Sequence, residues 1–380
     1  MHIGFITSEY PHPQVKHAAG IATSIKNLAV ALVKRGVVVS VFVYHQDADA
    51  IIEDNDVRIH LIKTKRFGLF TWYYYRKHIQ YYVNTIINKE KIDLIEAPDW
   101  TGITAFMRLQ VPLIIRLHGS DAYFCKLDKR KQKFKNYVFE KAALKGAKGY
   151  IAPTVYAGQE TAKLFGLSRD KIKTIHYGLQ LDHFQNNTPE VYHRHTLLYI
   201  GTIIRKKGVL ELAEIFNTVV ASNPDAKLIL IGGDAPDIAT GDSSTYALMD
   251  SLFTTAAQKR VHYLGKIPYT EVQEHIKKSH VCVFPSFAET LGMVTIESMA
   301  LQKPVVNTSI GWAQELIDDG VNGYLVHPTA IMDYSSRILE LFNDETLCLE
   351  IGKGAREKVS TTFNIDTLAA TNINYYQSQL

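Results

Sequence analysis

The sequence predicts an α/β protein made of two doubly wound parallel sheets, each forming its own domain. Short apolar segments alternate with longer segments whose apolar residues recur every three or four positions. This is the pattern of buried parallel strands alternating with amphipathic helices. A chain of 380 residues is also longer than one ordinary hydrophobic core supports. The alternation stops in a polar stretch at 182–194 and then starts again, so we expect two domains of the same class.

The first domain is expected to span residues 1–181. Ile3–Ser8 predicts a buried strand, and Ile21–Lys34 predicts a helix because its apolar residues fall on one face. Gly36 ends this helix, and Val37–Tyr44 predicts the next strand. Further apolar segments predict the remaining strands of this sheet, at Ile92–Glu96, Leu113–Leu117 and Gly149–Pro153.

The second domain is expected to span residues 195–365, after a linker at 182–194 that is rich in asparagine and proline. Leu197–Ile200 predicts its first strand, and the apolar positions from Leu212 to Val220 predict a helix behind it. Further strands are predicted at Leu228–Ile231, Val261–Leu264, Val281–Phe284 and Pro304–Asn307.

The composition is that of an ordinary globular protein, with 46% hydrophobic residues, and excludes collagen, coiled coil and wholesale disorder. The cysteines Cys125, Cys282 and Cys348 are too far apart for a zinc site or a disulfide scaffold, which favours a reducing compartment. The N-terminus lacks the features of a signal peptide. No run approaches the roughly 20 apolar residues of a membrane helix. A cytoplasmic protein is expected.

Positive charge is concentrated in one part of the chain. The net charge is +4, and basic residues clearly outnumber acidic ones between Lys126 and Lys148. A second basic stretch, Lys63–Lys77, is also rich in aromatic residues. These stretches are either solvated helix faces or a contact surface for anionic lipid headgroups or a phosphate-bearing acceptor. The second reading predicts peripheral attachment to the inner face of a membrane. Nucleic acid is not expected, since no nucleic-acid module accompanies the charge.

Two carboxylates flank a glycine turn near the end of the second domain. Glu289 and Glu297 are eight positions apart, and Gly292 lies between them before an apolar helical pattern. At about 1.5 Å per helical residue, eight positions span roughly 12 Å. The first amides of the helix would face an anion placed between the acids. Each acid alone could also be a helix-terminal or solvated glutamate, and the two could form a general acid/base pair.

The string from Phe284 to Ala300 resembles the E-x7-E signature of retaining GT-B glycosyltransferases of family 4. The resemblance implies that Glu289 contacts the sugar of a nucleotide diphosphate sugar and that Glu297 holds its ribose. Backbone amides at the turn would hold the diphosphate. These amides belong to Leu291, Gly292 and Met293. The family usually has phenylalanine where Leu291 stands, a change that a backbone contact tolerates.

The resemblance also implies the architecture and the ligands. It predicts the GT-B arrangement, in which two Rossmann-like domains face each other across a cleft and the last helix, here 366–380, crosses back to the first domain. The substrates would be a nucleotide-sugar donor and a glycan or lipid-linked acceptor, with neither a cofactor nor a metal ion. The expected role is retaining hexosyl transfer in surface-polysaccharide or glycoconjugate biosynthesis.

A basic loop follows the first strand of the second domain. Gly201–Gly208 offers a glycine turn, three cations and a helix start, which suits a leaving diphosphate because fixed cations stabilise developing negative charge. It resembles the family's G-R-x(4)-K-G loop, in which Lys207 takes the position of the phosphate-binding lysine. Thr202 stands where the family has arginine, and we expect Arg205 to supply the second cation.

The first domain offers weaker candidates. Gly20, in Ala18–Ile21, resembles the family's glycine-rich loop, where backbone approaches the phosphate and acceptor side. His118 follows a predicted strand, and by resemblance it faces the reacting sugar and phosphate, although such a histidine is otherwise often structural. Asp121 is expected to cap the next segment. Glu96–Trp100 resembles a loop that contacts the acceptor, or is a plain strand-to-helix turn.

Three other functions remain open. A metal-dependent GT-A transferase would use Asp47 and Asp49 as a D-x-D pair, but the acidic stretch Asp47–Asp56 is expected to be a solvated loop. A sugar-nucleotide epimerase on the same architecture would convert the donor without an acceptor. A catalytically silent protein would bind the nucleotide sugar without turnover.

Overall fold

The computed structural model describes residues 1–17 and 20–380. The chain divides into two compact units, which are Met1–Gln180 together with Asn364–Leu380, and Leu181–Phe363. The C-terminal helix therefore belongs to the first unit. The polar stretch that the sequence predicts to be a linker begins the second unit, where Asn186 donates to the carbonyl of Leu301 at 2.9 Å.

The strands are β1 (His2–Thr7), β2 (Val38–Gln46), β3 (Ala50–Asp54), β4 (Val57–Lys63), β5 (Leu94–Pro98), β6 (Leu113–Arg116), β7 (Gly149–Ala152), β8 (Ile172–Thr174), β9 (Thr196–Ile200), β10 (Lys227–Ile231), β11 (Val261–Gly265), β12 (Val281–Phe284), β13 (Val305–Asn307) and β14 (Tyr324–Leu325). The helices are α1 (Gly20–Val33), α2 (Thr71–Glu90), α3 (Asp121–Leu127), α4 (Phe134–Lys145), α5 (Val155–Phe165), α6 (Val209–Ser222), α7 (Thr245–Leu252), α8 (Thr255–Gln258), α9 (Tyr269–Lys278), α10 (Met293–Ala300), α11 (Ile331–Asn343), α12 (Glu345–Thr362) and α13 (Ile365–Gln379). Short 3-10 turns lie at Trp100–Gly102, Arg169–Lys171, Leu181–His183, Arg205–Lys207 and Gly311–Glu315.

The first unit is built on a sheet in the order β3-β4-β2-β1-β5-β6-β7-β8, parallel except for β3. Successive residues of β1 enter opposite cores. Phe5 packs in the cluster formed with α1 and α13, while Ile6 packs in the cluster formed with α2. This sheet is therefore buried on both faces, as its near-continuous apolar strands predict. The strand order reverses between β1 and β5, the position where α/β sheets commonly bind ligands.

The second unit is built on a parallel sheet in the order β11-β10-β9-β12-β13-β14. Here the order reverses between β9 and β12, which pair through Leu197 and Val281. The basic loop follows β9 and the acidic string follows β12. Because the carboxyl ends of parallel strands meet at one edge of the sheet, both motifs lie at that edge. The two doubly wound sheets confirm the predicted fold class, with element ends shifted by a few residues.

The acidic stretch after β2 differs from the prediction. Ala50–Asp54 is not a solvated loop but an antiparallel strand that pairs with β4. Asn55 and Asp56 form the turn, both with positive φ (52° and 59°), as a two-residue type I′ hairpin requires. Asp54 contacts Tyr10 and forms an ion pair of 2.7 Å with Lys26. In the sequence, this hairpin is indicated by Asn55 and Asp56, which lie between two segments that contain β-branched residues.

The C-terminal helix α13 is held to the first unit by a buried polar network. Arg116 donates to both carboxylate oxygens of Glu96 at 2.7 and 2.9 Å, and also to the side-chain oxygen of Asn372 at 2.6 Å. The hydroxyl of Tyr376 donates to Glu96 at 2.6 Å. All four side chains are buried, so each polar atom needs these partners.

Candidate functional site

The two motifs of the second unit are in direct contact. The Phe287 amide donates to the Lys206 carbonyl at 2.8 Å. Gly208 has φ of 70°, and a Cβ there would lie 1.8 Å from the carbonyl oxygen of Pro285. The close approach therefore requires glycine at this position. The sequence predicted both loops but not this contact between them.

Lys207 and Glu289 form an ion pair between the two loops, through Nζ and Oε1. Both side chains are largely buried, with exposed fractions of 21% and 19%. Burial, followed by the neighbouring Lys206, lowers the pKa of Lys207 to about 7. The Glu289 carboxylate acts in the opposite direction, because it stabilises the charged ammonium. The lysine predicted to bind phosphate and the first acid of the E-x7-E string are therefore in direct contact.

The helix α10 begins beside this pair. Gly292 precedes it with φ of 94°, and Met293 is its first residue. Leu291 is buried, with 1% exposure, so its side chain anchors the turn. The amides of a first helical turn lack intrahelical acceptors and carry the positive end of the helix dipole. The helix starts four residues after Glu289, so the helical rise applies only from Met293 onward.

Glu297 lies on α10 and is buried, with 6% exposure. The hydroxyl of Tyr269 donates to its Oε1 at 2.8 Å. Burial raises the pKa of Glu297 to about 7, while this hydrogen bond acts to lower it. The charged and neutral forms are therefore close in energy near neutral pH. Tyr269 was not singled out from the sequence, since it lies 28 residues before its partner.

Arg205 has a partner, Asp237, that its sequence motif did not indicate. Its Nε and Nη2 donate to the two carboxylate oxygens of Asp237 at 2.9 and 2.8 Å. Asp237 also accepts from the amide and the hydroxyl of Thr240, at 3.0 and 2.7 Å, and these bonds, led by that of Arg205, lower its pKa. The Arg205 side chain is 43% exposed. Its outer N–H groups are the part of the fork that could meet a phosphate.

His118 lies in the first unit, between β6 and α3, and is buried. Its ring stacks on Tyr177 at 5.4 Å, and its Nδ1 shares a hydrogen bond of 2.7 Å with the Tyr177 hydroxyl. Burial, followed by the charge of Arg116, lowers the pKa of His118 to about 3. The ring is therefore neutral at neutral pH and suits a hydrogen bond rather than a cation–phosphate contact. Ser120, not Asp121, caps α3 by accepting from the Tyr123 amide.

The other candidates of the first unit are placed as follows. Gly20 begins α1, and a Cβ there would meet no atom of the described residues within 4 Å. Ala18 and Ala19 lie outside the described residues. In the predicted acceptor loop, Glu96 is committed to Arg116 and Asp99 is fully buried, while Trp100 is 40% exposed. Burial, followed by the charge of Glu140, raises the pKa of Asp99 to about 8.

The D-x-D pair is occupied by other contacts. Asp47 forms an ion pair with Lys16 at 2.5 Å, and Asp49 accepts from the Lys63 amide at 2.8 Å. Across residues 1–17 and 20–380, no group of three or more His, Cys, Asp or Glu side chains could hold a metal ion. In the same residues, no helix combines the length and apolar character needed to span a membrane.

Two family models match the chain. Residues 182–358 match the model described as Glycosyl transferases group 1, and residues 18–183 match the model described as Glycosyltransferase Family 4. The two matches meet near the boundary between the units.

Three individual proteins illustrate the similarity. The chain is 24% identical to an uncharacterized glycosyltransferase of Methanocaldococcus jannaschii, across 99% of this chain and 98% of the relative. It is 28% identical to the capsular polysaccharide biosynthesis glycosyltransferase CapM of Staphylococcus aureus, across 60% of this chain and 61% of that one. The crystal structure of HepE from Anabaena in complex with UDP-glucose has a TM-score of 0.75 at 19% identity, across 100% of both chains. This last likeness concerns the fold.

Proposed function

Because the chain belongs to the GT-B glycosyltransferases of the family 4 type, we propose that it transfers a hexose from a nucleotide diphosphate sugar to a hydroxyl group. The acceptor is a glycan or a lipid-linked molecule of surface-polysaccharide or glycoconjugate biosynthesis. Transfer retains the anomeric configuration and needs no metal ion. One observation carries the proposal, which is the ion pair between Lys207 and Glu289 at the start of α10.

The pair is suited to open around a donor. A diphosphate gives the Lys207 ammonium an anionic partner, and sugar hydroxyls give the Glu289 carboxylate hydrogen-bond donors. Each charged group thus exchanges its ion-pair partner for a group of the donor that interacts favourably with it, so neither charge is left buried without a partner. The backbone amides of Leu291, Gly292 and Met293, at the turn into α10, and the outer N–H groups of Arg205 add further donors for the diphosphate. Glu297 then holds the ribose.

The same groups favour the chemical step. When the bond between the sugar and the diphosphate breaks, negative charge develops on the leaving oxygen, and cations fixed beside it stabilise the transition state. The acceptor hydroxyl attacks from the face that the diphosphate leaves, and the departing phosphate oxygen takes its proton. This path accounts for retention without a protein base. Glu289 then serves to position the sugar.

Donor binding and product stereochemistry test the proposal. Thermal shift with UDP-, GDP- and ADP-sugars should identify one donor class that stabilises the protein, since only ligands that bind the folded state raise its stability. NMR of the product should then show the anomeric configuration of the donor, at a rate unchanged by EDTA. Inversion or loss of activity with EDTA would contradict the proposal. Conversion of the donor in the absence of any acceptor would indicate the epimerase instead.

For the acceptor side, we propose that the first unit contacts an anionic inner leaflet through a defined surface. This basic-aromatic surface consists of the starts of α2 and α4 and the residues just before each of these helices. Trp72 packs on Phe139 with ring centroids 4.8 Å apart, and the Lys135 ammonium lies 5.8 Å from the Trp72 ring. Leu69 and Phe134 are 86% and 80% exposed. Trp72 and Lys135 thus bring an aromatic ring and a cation together where these exposed apolar side chains lie nearby in the sequence.

Fewer basic residues are available on this surface than the sequence predicted. Lys126 and Arg130 are engaged in ion pairs, with Glu160 and with Asp121 and Asp128. The exposed lysines beside Phe134 remain for a membrane. They are Lys129, Lys131, Lys133 and Lys135. Each lysine near an anionic leaflet is worth about 1 kcal/mol, and aromatic residues suit the interface.

Vesicle sedimentation tests this contact. With vesicles of phosphatidylcholine and phosphatidylglycerol, changing both Lys133 and Lys135 to Glu should abolish binding, and Phe134→Ser should weaken it. The matched control changes Lys89 and Lys173 to Glu; both are exposed and lie elsewhere on the first unit. Equal loss in the control would mean that net charge alone acts. Binding that is the same with purely zwitterionic vesicles would contradict the proposal.

A further inference from the structure

The family resemblance assigns a role to Glu297 but none to Tyr269, the side chain that contacts it. The Tyr269 hydroxyl donates to Oε1 of the buried carboxylate at 2.8 Å. Tyr269 is the first residue of α9, and Glu297 lies on α10. Two helices that follow different strands of the sheet are therefore joined at the side chain expected to bind ribose.

The position of Tyr269 follows from the pattern of α9. Tyr269, Val272 and Ile276 fall at i, i+3 and i+7, so they share one face of the helix. Val272 and Ile276 are buried in the second unit, whereas Tyr269 is 50% exposed. The buried pair fixes the face of α9 that turns inward. The tyrosine at the end of this face then reaches Glu297 with its hydroxyl while part of its ring stays open to solvent.

We propose that Tyr269 is a positioning residue that orients the Glu297 carboxylate for the vicinal hydroxyls of a nucleoside ribose. The inference rests on the proposed function, in which Glu297 binds that ribose. A carboxylate has two oxygens and accepts several hydrogen bonds. Holding Oε1 from one side fixes the plane of the group and directs its remaining acceptor positions. A preorganised acceptor binds better because less freedom is lost when the ligand arrives.

The experiment compares ligands that differ only in the ribose. Binding of UDP, GDP and ADP to the full chain is measured by calorimetry, and the tightest of the three is compared with its 2′,3′-dideoxy form and with pyrophosphate. The variants are Tyr269→Phe, which keeps the ring, and Tyr192→Phe as matched control. Tyr192 stacks on His280, which immediately precedes β12. It therefore lies at the amino end of this strand, whereas Glu297 lies on the helix that follows the strand's carboxyl end.

Tyr269→Phe should weaken the ribonucleotide about tenfold, the order of one hydrogen bond to a charged group. It should change the affinity of the dideoxy form and of pyrophosphate by less than about twofold, because neither offers hydroxyls to Glu297. A merely structural role would weaken all ligands alike, and that result would overturn the inference, as would an unchanged ribonucleotide affinity. If the wild-type chain binds none of the three nucleotides, the proposed function fails as well.

Discussion

Replacing Glu297 by glutamine should stabilise the ligand-free protein while removing its nucleotide binding. Burial raises the pKa of Glu297 from its ordinary 4.5 to about 7 in the folded protein. The folded protein therefore binds this proton more tightly than the unfolded chain does, so stability falls as pH rises from about 4.5 to about 7. A pKa shift of this size lowers the free energy of unfolding by about 3 kcal/mol above pH 7 and does not change it below pH 4.5. Glutamine stays neutral and can still accept from Tyr269.

Urea unfolding of the second unit measures this effect. Trp312 is buried in that unit with 1% exposure, so its fluorescence reports unfolding once Trp72 and Trp100 are changed to Phe. Glu297→Gln should raise the unfolding free energy at pH 8 by up to about 3 kcal/mol, and the gain should vanish near pH 4.5. The exposed Glu350→Gln serves as control and should stay within about 0.5 kcal/mol. Destabilisation at pH 8, or a gain independent of pH, would refute the reasoning.

Three further substitutions probe the contacts of both units. Asp237→Asn removes the charge that orients Arg205, and should weaken pyrophosphate binding several-fold in calorimetry; unchanged binding would mean that Arg205 does not meet the phosphate. Tyr376→Phe removes a buried hydroxyl from the ion-pair network of α13, and should lower the unfolding free energy by about 1–3 kcal/mol; a neutral result would indicate that water takes its place. Gly208→Ala forces a Cβ against the Pro285 carbonyl, and should lower both melting temperature and donor turnover, whereas an active, equally stable variant would contradict the close packing.

The fold and the edge that carries the site could be predicted because they depend on local patterns. Apolar segments of four to eight residues predicted β1, β2, β5–β7 and β9–β13, whereas the short edge strands β8 and β14 were not predicted. The turns that follow β9 and β12 carry the glycines and charges that identify the donor motifs. Parallel strands then bring the two motifs to one edge without further information. The hairpin β3–β4 was not predicted, because the acidic residues of Asp47–Asp56 favoured a solvated loop over a strand.

The partners of the site residues could not be predicted. Arg205 and Asp237 are 32 residues apart, Tyr269 and Glu297 are 28 apart, and His118 and Tyr177 are 59 apart. Such pairs depend on how helices and loops pack across the sheet, which no local periodicity encodes. They also decide the chemistry, because they set the orientation or the charge state of the groups that the motifs supply.

Steady-state transfer rates of Lys207→Ala and Glu289→Ala test the central claim most directly. If the two side chains hold the diphosphate and the sugar of the donor, each substitution should lower kcat by about a hundredfold or more. Because they share one ligand and contact each other, the double variant should lose less than the product of the two single effects. Lys227→Ala, at an exposed position of β10, should leave the rate unchanged. Unchanged turnover in both single variants would contradict the account.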